Sequence, residues 1–305
     1  MGVHTHDDFD WTARLADLRR RDAIAAQAYR STADRLVAML EPGATVIDIG
    51  SGAGGMAAQL GLALRANGGG RLVLVDAVEE LLDVATDHVH TALSGPGATV
   101  KVDTVLGDAA SDELGTQVPA AELVWAAAVV HHLRDQQQGV NRLAGLLAPG
   151  GWLALAEGGL GTQCLPWDLG VGEPGLIDRL TAGAKAWFAQ MRADIPGSVR
   201  LPVGWTRSLV DAGLTEVTSF SYLIDHPAPV SDDVRAAVVK WLAFMAEVGA
   251  DRLAEDDRTA LARLLDPADP VFVGARDDLF YLASGTVNLG RRGPGGPAAH
   301  SPASH

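Results

Sequence analysis

Ten residues, Val46-Ile47-Asp48-Ile49-Gly50-Ser51-Gly52-Ala53-Gly54-Gly55, hold the most chemically loaded spacing in this chain. β-Favouring residues with one acid among them run into a glycine-rich turn, and a helix-forming run from Met56 to Arg65 follows. Such a unit lets backbone approach a ligand, because glycine leaves no side chain between the helix N-terminus and whatever docks there. Gly50, Gly52 and Gly55 fit the G-x-G-x-x-G spacing of dinucleotide-binding turns. Asp48 opposes that reading, since a carboxylate two residues before the first glycine repels a pyrophosphate. It suits a ligand that presents cationic or donor groups, such as an amino-acid ammonium.

Further along, Arg71-Leu72-Val73-Leu74-Val75-Asp76 ends in an acid 26 positions after Gly50. A carboxylate at a strand tip can accept both hydroxyls of a ribose, or cap the helix that follows. Gly107-Asp108-Ala109 follows a third apolar run, where ordinary turn chemistry also accounts for Gly-Asp. The run Glu122 to Leu133 carries His131 and His132 at its end, and Leu146 to Leu155 contains Pro149-Gly150-Gly151. Glu157 stands at the tip of that last run.

Taken in order, these segments resemble the class I S-adenosylmethionine methyltransferases of the small-molecule type. Asp48, Gly50, Gly52 and Gly54 match the family's first motif, acid-x-Gly-x-Gly-x-Gly. The resemblance places Ser51 with them against the methionine part of the cofactor, Asp76 on the ribose and Asp108 with Ala109 at the adenine. Ala126 falls among the small fourth-strand residues that flank the cofactor, and Leu147 to Trp152 resembles the family's Pro-Gly-Gly turn into the fifth strand. Glu122 departs from the more usual Asp. The resemblance implies methyl transfer from S-adenosylmethionine to a small-molecule acceptor. His131, His132 and Glu157 are the candidate catalytic residues, because an acceptor that must lose a proton needs a base. Imidazole as a side-chain type suits that task, although either histidine would serve equally well as a scaffold residue.

The elements that must position these groups follow from periodicity. A helical stretch lies between Trp11 and Leu40, with Leu15, Leu18, Ile24, Leu36, Val37 and Leu40 as buried positions. From there strand and helix alternate: strands at 45–49, 71–76, 99–106, 122–128 and 151–156, helices at 54–66, 78–93, 112–117 and 136–147. Alternation of this kind predicts right-handed crossovers and a parallel sheet that binds ligand at its C-terminal edge. Helices follow at 175–192 and 205–212, a strand at 216–223, helices at 232–248 and 256–265, and a last strand at 278–287. The expected architecture is α/β, a Rossmann-like seven-stranded mostly parallel sheet with an antiparallel C-terminal strand, plus a helical cap. One domain spans 11–290, with 45–157 as cofactor core and 158–215 and 225–275 as cap and substrate inserts. Residues 1–10 and 291–305 read as disordered ends.

A length of 305 residues allows a full core, and 48% apolar with 20% charged residues is an ordinary globular balance. The net charge of −14 disfavours nucleic acid or an anionic membrane as partner. Cys164 stands alone, which excludes an intrachain disulfide and a thiolate metal cluster, and His4 with His6 is too sparse a pair for a metal. No run reaches membrane-spanning length and no secretory leader is seen, so a cytoplasmic protein is expected, with a homodimer left open. Tryptophan and phenylalanine at 167, 187, 188, 205, 241 and 244 offer flat apolar surface, and Arg179 or Arg207 could meet an acidic acceptor. Two other readings stand beside the first: an NAD(P)-dependent oxidoreductase using Gly50, Gly52 and Gly55, and a non-catalytic S-adenosylmethionine-binding partner or sensor.

Overall fold

The computed structural model describes residues 15–295. In chain order the elements are α1 (Leu15–Val37), β1 (Thr45–Ile49), α2 (Gly55–Ala66), β2 (Gly70–Asp76), α3 (Glu79–Ala92), β3 (Val100–Leu106), α4 (Leu114–Gln117), β4 (Ala121–Ala127), α5 (Gln136–Gly145) and β5 (Leu147–Ala156). They continue with α6 (Leu176–Asp194), α7 (Trp205–Asp211), β6 (Thr215–His226), α8 (Asp232–Gly249), α9 (Glu255–Leu265) and β7 (Tyr281–Arg291). The chain divides into two compact units, 1–159 with 196–222 and 285–305, and 160–195 with 223–284.

The first unit is built on one sheet in the order β3-β2-β1-β4-β5-β7-β6. β1 pairs in parallel with β2 and β4, β2 with β3, and β4 with β5. β7 runs antiparallel to β5. Thr215 bonds Arg291 and Ser221 bonds Thr286, so β6 and β7 also run in opposite directions. The expected Rossmann-like, mostly parallel sheet with its antiparallel end is the sheet observed.

Each strand's period of two sorts its side chains onto opposite faces. Ile47, Ile49, Val73, Val75 and Val124 pack on one face with Val140 and Leu143 of α5. Val46, Leu72, Leu74, Leu123 and Trp125 pack on the other with Leu36 of α1, Leu60 and Leu64 of α2, and Leu82 and Val89 of α3. α1 meets its neighbours through small residues, with Ala25, Ala28 and Ala33 buried alongside Ile24, Leu36 and Val37. Leu15, Leu18 and Leu40, expected among the buried positions, are only partly buried.

Two element ends differ from the sequence expectation for identifiable reasons. β5 begins at Leu147 rather than 151, with a register shift against β4 between Ala121 and Leu123, so Pro149 and Gly150 sit within the strand's irregular start. The N–H of Gly150 donates to the carbonyl of Arg292 at 3.1 Å, which gives that irregular stretch a partner. β7 extends to Arg291, past the polar Asn288, because Leu289, Gly290 and Arg291 pair with Ala154, Leu153 and Trp152. Asn288 is tolerated inside because its Nδ2 donates to the Leu155 carbonyl at 3.4 Å. Arg291 therefore belongs to the sheet and not to the C-terminal tail. The rest of the expected disordered ends, 1–10 and 296–305, lies outside the described residues, as do Trp11, His4 and His6.

The second unit is mainly helical. Gly183 of α6 lies against Gly249, where an added Cβ would come 2.8 Å from the Gly249 carbonyl oxygen. Arg179 of α6 clamps the buried Asp257 of α9 with two contacts of 2.6 Å, a bidentate fork that fixes both helices. Among the described residues no helix is long and apolar enough to cross a membrane.

Trp125, 1% exposed at the centre of β4, is among the largest wholly buried side chains. Truncating it leaves a cavity in close-packed surroundings. Trp125→Ala is expected to lose about 3–5 kcal/mol of stability, read from denaturant unfolding.

Candidate functional site

The glycine turn leaves β1 at the point where the strand order reverses, between β1 and β4, the place at the carboxyl ends of a parallel sheet where ligands bind in open α/β folds. Asp48 shares its face of β1 with Val46, and Asp76 shares its face of β2 with Leu72 and Leu74. Both carboxylates therefore point to the α1–α3 side of the sheet. Each is buried, Asp48 to 3% exposure and Asp76 to 8%.

The turn needs its glycines for a measurable reason. Gly50 has φ +71°, and a Cβ there would lie 2.4 Å from Cγ2 of Val129 in the loop after β4. Its backbone donors are already engaged. The N–H groups of Gly50 and Ser51 both donate to the Val75 carbonyl, at 2.8 and 3.1 Å. Gly52 N–H donates to Asp76 Oδ2 at 2.9 Å, and Val78 N–H to Asp76 Oδ1 at 3.0 Å. Gly54 N–H closes on the Ser51 carbonyl at 2.9 Å, while Ser51 Oγ donates to the Asp48 carbonyl at 3.1 Å.

A third acid completes the set, and no motif announced it. Asp22 of α1 accepts the N–H of Gly55 at 3.0 Å through Oδ2. Gly54, the residue that caps α2, has no side chain to do this, so α1 supplies the missing acceptor from 33 residues away. The signal available in the sequence was only an acid on a helix, which describes most surface helices as well.

Burial dominates the electrostatics. Burial, and after it the charges of Asp76 and Asp22, raise Asp48 to about 8, and among the described residues no hydrogen bond acts the other way. Burial also raises Asp22 to about 6, against the Gly55 N–H and the positive charges of Arg21 and His88. Asp76 is raised by burial too, but the N–H groups of Gly52, Val78 and Ala77 act the other way. Asp48 is thus the carboxylate of the three with least support from the protein.

The remaining cofactor candidates separate. Asp108 is half-buried, and its Oδ1 accepts the N–H of Ala110 at 2.7 Å, a local turn contact. Ala109 beside it is 8% exposed. Ala126 is wholly buried, and its side chain packs in the apolar cluster with Ile49 and Val124.

On the other side of the switch point, β4 is followed by Ala128, a non-glycine residue at φ +54°. That conformation is sparsely populated for L-residues and persists only where the surroundings hold it. Here Glu157 does so. Its carboxylate, 2% exposed, accepts the N–H groups of Val129 and Val130 through Oε1, at 3.0 and 2.8 Å. Oε2 lies 2.5 Å from Nδ1 of His131. The carboxylate can only accept, so the Nδ1 proton is on the imidazole and Glu157 fixes both its tautomer and its orientation. His132 stacks edge-on against His131 with ring centroids 3.9 Å apart. The structure brings His131, His132 and Glu157 together, and Val129 carries the same loop against Gly50.

Other candidates are committed elsewhere. Arg207 pairs with Asp211 at 2.8 Å and Arg179 with Asp257, so each meets an internal carboxylate. Glu122, the family departure, accepts the Thr45 N–H at 2.8 Å and ties the start of β1 to that of β4. Trp205 packs on the first unit's core, while Trp167 of the second unit is 68% exposed. Among the described residues no group of three or more His, Cys, Asp or Glu could hold a metal ion.

Residues 47–153 match the family model of a methyltransferase domain. No curated protein sequence matches the chain. Among solved structures, the YcgJ protein of Bacillus subtilis is similar at 15% identity and a TM-score of 0.47, over 88% of this chain and 99% of its own. A SAM-dependent methyltransferase from Thiobacillus denitrificans, in complex with S-adenosylhomocysteine, is similar at 17% identity and a TM-score of 0.42, over 87% of this chain and 91% of its own. One from Geobacter sulfurreducens, in the same complex, is similar at 16% identity and a TM-score of 0.40, over 85% and 89%.

The raised carboxylates make stability depend on pH. A carboxylate whose folded pKa lies above its unfolded one gives stability below the unfolded value, and that stability is lost as pH rises through the folded value. For Asp48 the window runs from the ordinary aspartate value of 3.8 to about 8. The melting temperature of the ligand-free protein is therefore expected to fall between about pH 5 and about pH 8. In Asp48→Asn the fall is expected to be shallower.

Proposed function

We propose that this chain, whose residues 47–153 match a methyltransferase domain, is a class I S-adenosylmethionine-dependent methyltransferase, and that its acceptor is a small, partly apolar metabolite methylated on oxygen. The residues around the glycine turn fit that methyl donor. Asp48 is buried, and among the described residues no hydrogen bond offsets its charge, which suits a ligand ammonium. In this reading Asp48 and the turn from Gly50 through Ser51 and Gly52 to Gly54 hold the methionine part. Asp76 takes the ribose hydroxyls, and Asp108 with Ala109 borders the adenine. Ala126 contributes only through its small size in the adjoining strand.

A pyrophosphate fits poorly at the same place. It would need the N–H groups of Gly50, Ser51 and Gly52, which already donate to Val75 and Asp76, and it would lie among three carboxylates. That disfavours the dinucleotide reading.

When bound, S-adenosylmethionine supplies a methyl group already activated on a sulfonium, so the protein's task is alignment and exclusion of water. An acceptor hydroxyl must in addition lose its proton. His131 is placed to take it: Glu157 holds Nδ1–H, so proton exchange falls to Nε2. The contact between Glu157 and His131 is the single observation that carries O-methylation, since an amine acceptor presented as free base needs no such pair. Glu157 acts through His131 and the loop N–H groups, and is a positioning residue. His132 supports the His131 ring by stacking.

Two variants separate the roles. Asp76→Ala is expected to weaken S-adenosylmethionine binding roughly tenfold to a hundredfold in calorimetry, the worth of one or two hydrogen bonds to a carboxylate. Unchanged affinity would remove the ribose assignment. His131→Ala is expected to leave that affinity intact and to slow transfer to phenols and alcohols by about 10²–10⁴. Transfer to amines or carbon acids that survives His131→Ala would instead favour N- or C-methylation. Binding with no transfer to any of a broad acceptor panel would identify a non-catalytic binding protein.

A further inference from the structure

Between the glycine turn and the His131–Glu157 pair stands one residue that touches both. Val129 gives its N–H to Glu157 Oε1 at 3.0 Å, beside the Val130 N–H at 2.8 Å. Its side chain goes the other way. Cγ2 lies 2.4 Å from the place that a Cβ on Gly50 would occupy, so this methyl fills the space the glycine leaves open. Backbone and side chain of a single residue thus meet the tip of β5 and the end of β1.

Both contacts are firmly backed. Gly50 is held by its own N–H on the Val75 carbonyl at 2.8 Å. On the loop side, the Ala128 N–H donates to the Ala156 carbonyl at 3.1 Å. The N–H groups of His132 and Leu133 close a tight turn on the carbonyls of Val129 and Val130, at 3.1 and 3.0 Å. That turn carries His131, whose Nδ1 lies 2.5 Å from Glu157 Oε2. Ala128, at φ +54°, stores strain that the loop would shed if a support gave way. Valine suits a wedge, because branching at Cβ leaves χ1 stiff and fixes where Cγ2 stands.

We propose that Val129 is a positioning residue for methyl transfer, wedged against Gly50 so that the cofactor turn sets the place of the His131 imidazole. This role rests on the methyl-donor reading above and deepens it. Register between donor and base matters, since a misplacement of about 1 Å costs on the order of a hundredfold in rate. A cofactor that settles on the turn acts on the imidazole through Val129, before any acceptor arrives.

The test uses the intact chain and S-adenosylhomocysteine, which fills the donor's place without a transferable methyl group. Proton–nitrogen correlation spectra of protein carrying labelled histidine report the ring nitrogens, and His131 is identified by the signal lost in His131→Gln. Calorimetry gives the saturating concentration for each protein. In wild type, saturation is expected to shift the His131 ring signals. In Val129→Ala, which removes Cγ2, that shift is expected to be lost although S-adenosylhomocysteine still binds. Val129→Ile restores a branched side chain and is expected to bring the shift back. A shift in Val129→Ala equal to that of wild type means that Val129 only fills space, and the inference fails while the cofactor reading stands. Unmoved His131 signals in saturated wild type overturn it as well, whether or not the variant folds. No binding of S-adenosylhomocysteine or S-adenosylmethionine by wild type overturns the cofactor reading, and the role of Val129 with it.

Discussion

The arrangement on which the rest depends is negative charge held under a turn that has no hydrogen bonds left to give it. Asp48, Asp76 and Asp22 crowd the N-terminus of α2, where a helix would ordinarily welcome an anion. The backbone donors that could have satisfied Asp48 are turned to Val75, Asp76, Ser51 and Asp22. What remains is a buried acid at a sheet's switch point, stable as a charge only with a cation beside it. The sheet has to be rigid to hold it there. Cores on both faces of β1 and β2, with Trp125, Leu60 and Leu64 wholly buried, supply that rigidity.

A second buried carboxylate is handled in the opposite way. Glu157 receives two loop N–H groups and the Nδ1 proton of His131, so its charge is met by protein groups alone. The same side-chain chemistry thus takes two roles. One acid is left without donors, whereas the other is fully bonded and orients the imidazole beside it. Val129, pressed against Gly50, joins the two so that the loop after β4 cannot shift without disturbing the glycine turn.

Much of this was legible in the linear sequence because it is local. The strand–turn–helix at 45–66, the acid at 76 and the pair His131-His132 with Glu157 follow from spacing and period. What escaped was long-range. Asp22 reads as one more polar residue on an amphipathic helix, and only the docking of α1 on α2 through alanines turns it inward. Asp108, read as an adenine partner, also serves its own turn through Ala110, and Ala126, read as flanking the cofactor, faces the core. The early start of β5 and the late end of β7 were hidden by Pro149, Gly150 and Asn288. Local propensity argues against a strand at those residues, and only pairing across the sheet overrides it.

By itself the sequence determined the order of strands and helices, the glycine turn and the acid that opposes a phosphate ligand. Those depend on neighbours a few residues apart, where apolar period and turn chemistry act directly. Tertiary structure alone decided which acids meet. The pairing of β1 with β2 sets Asp48 and Asp76 on one face, and the packing of α1 brings in Asp22 from 26 residues before Asp48. Charge repulsion and desolvation depend on distance in space, and separation along the chain says nothing of that until the sheet has formed.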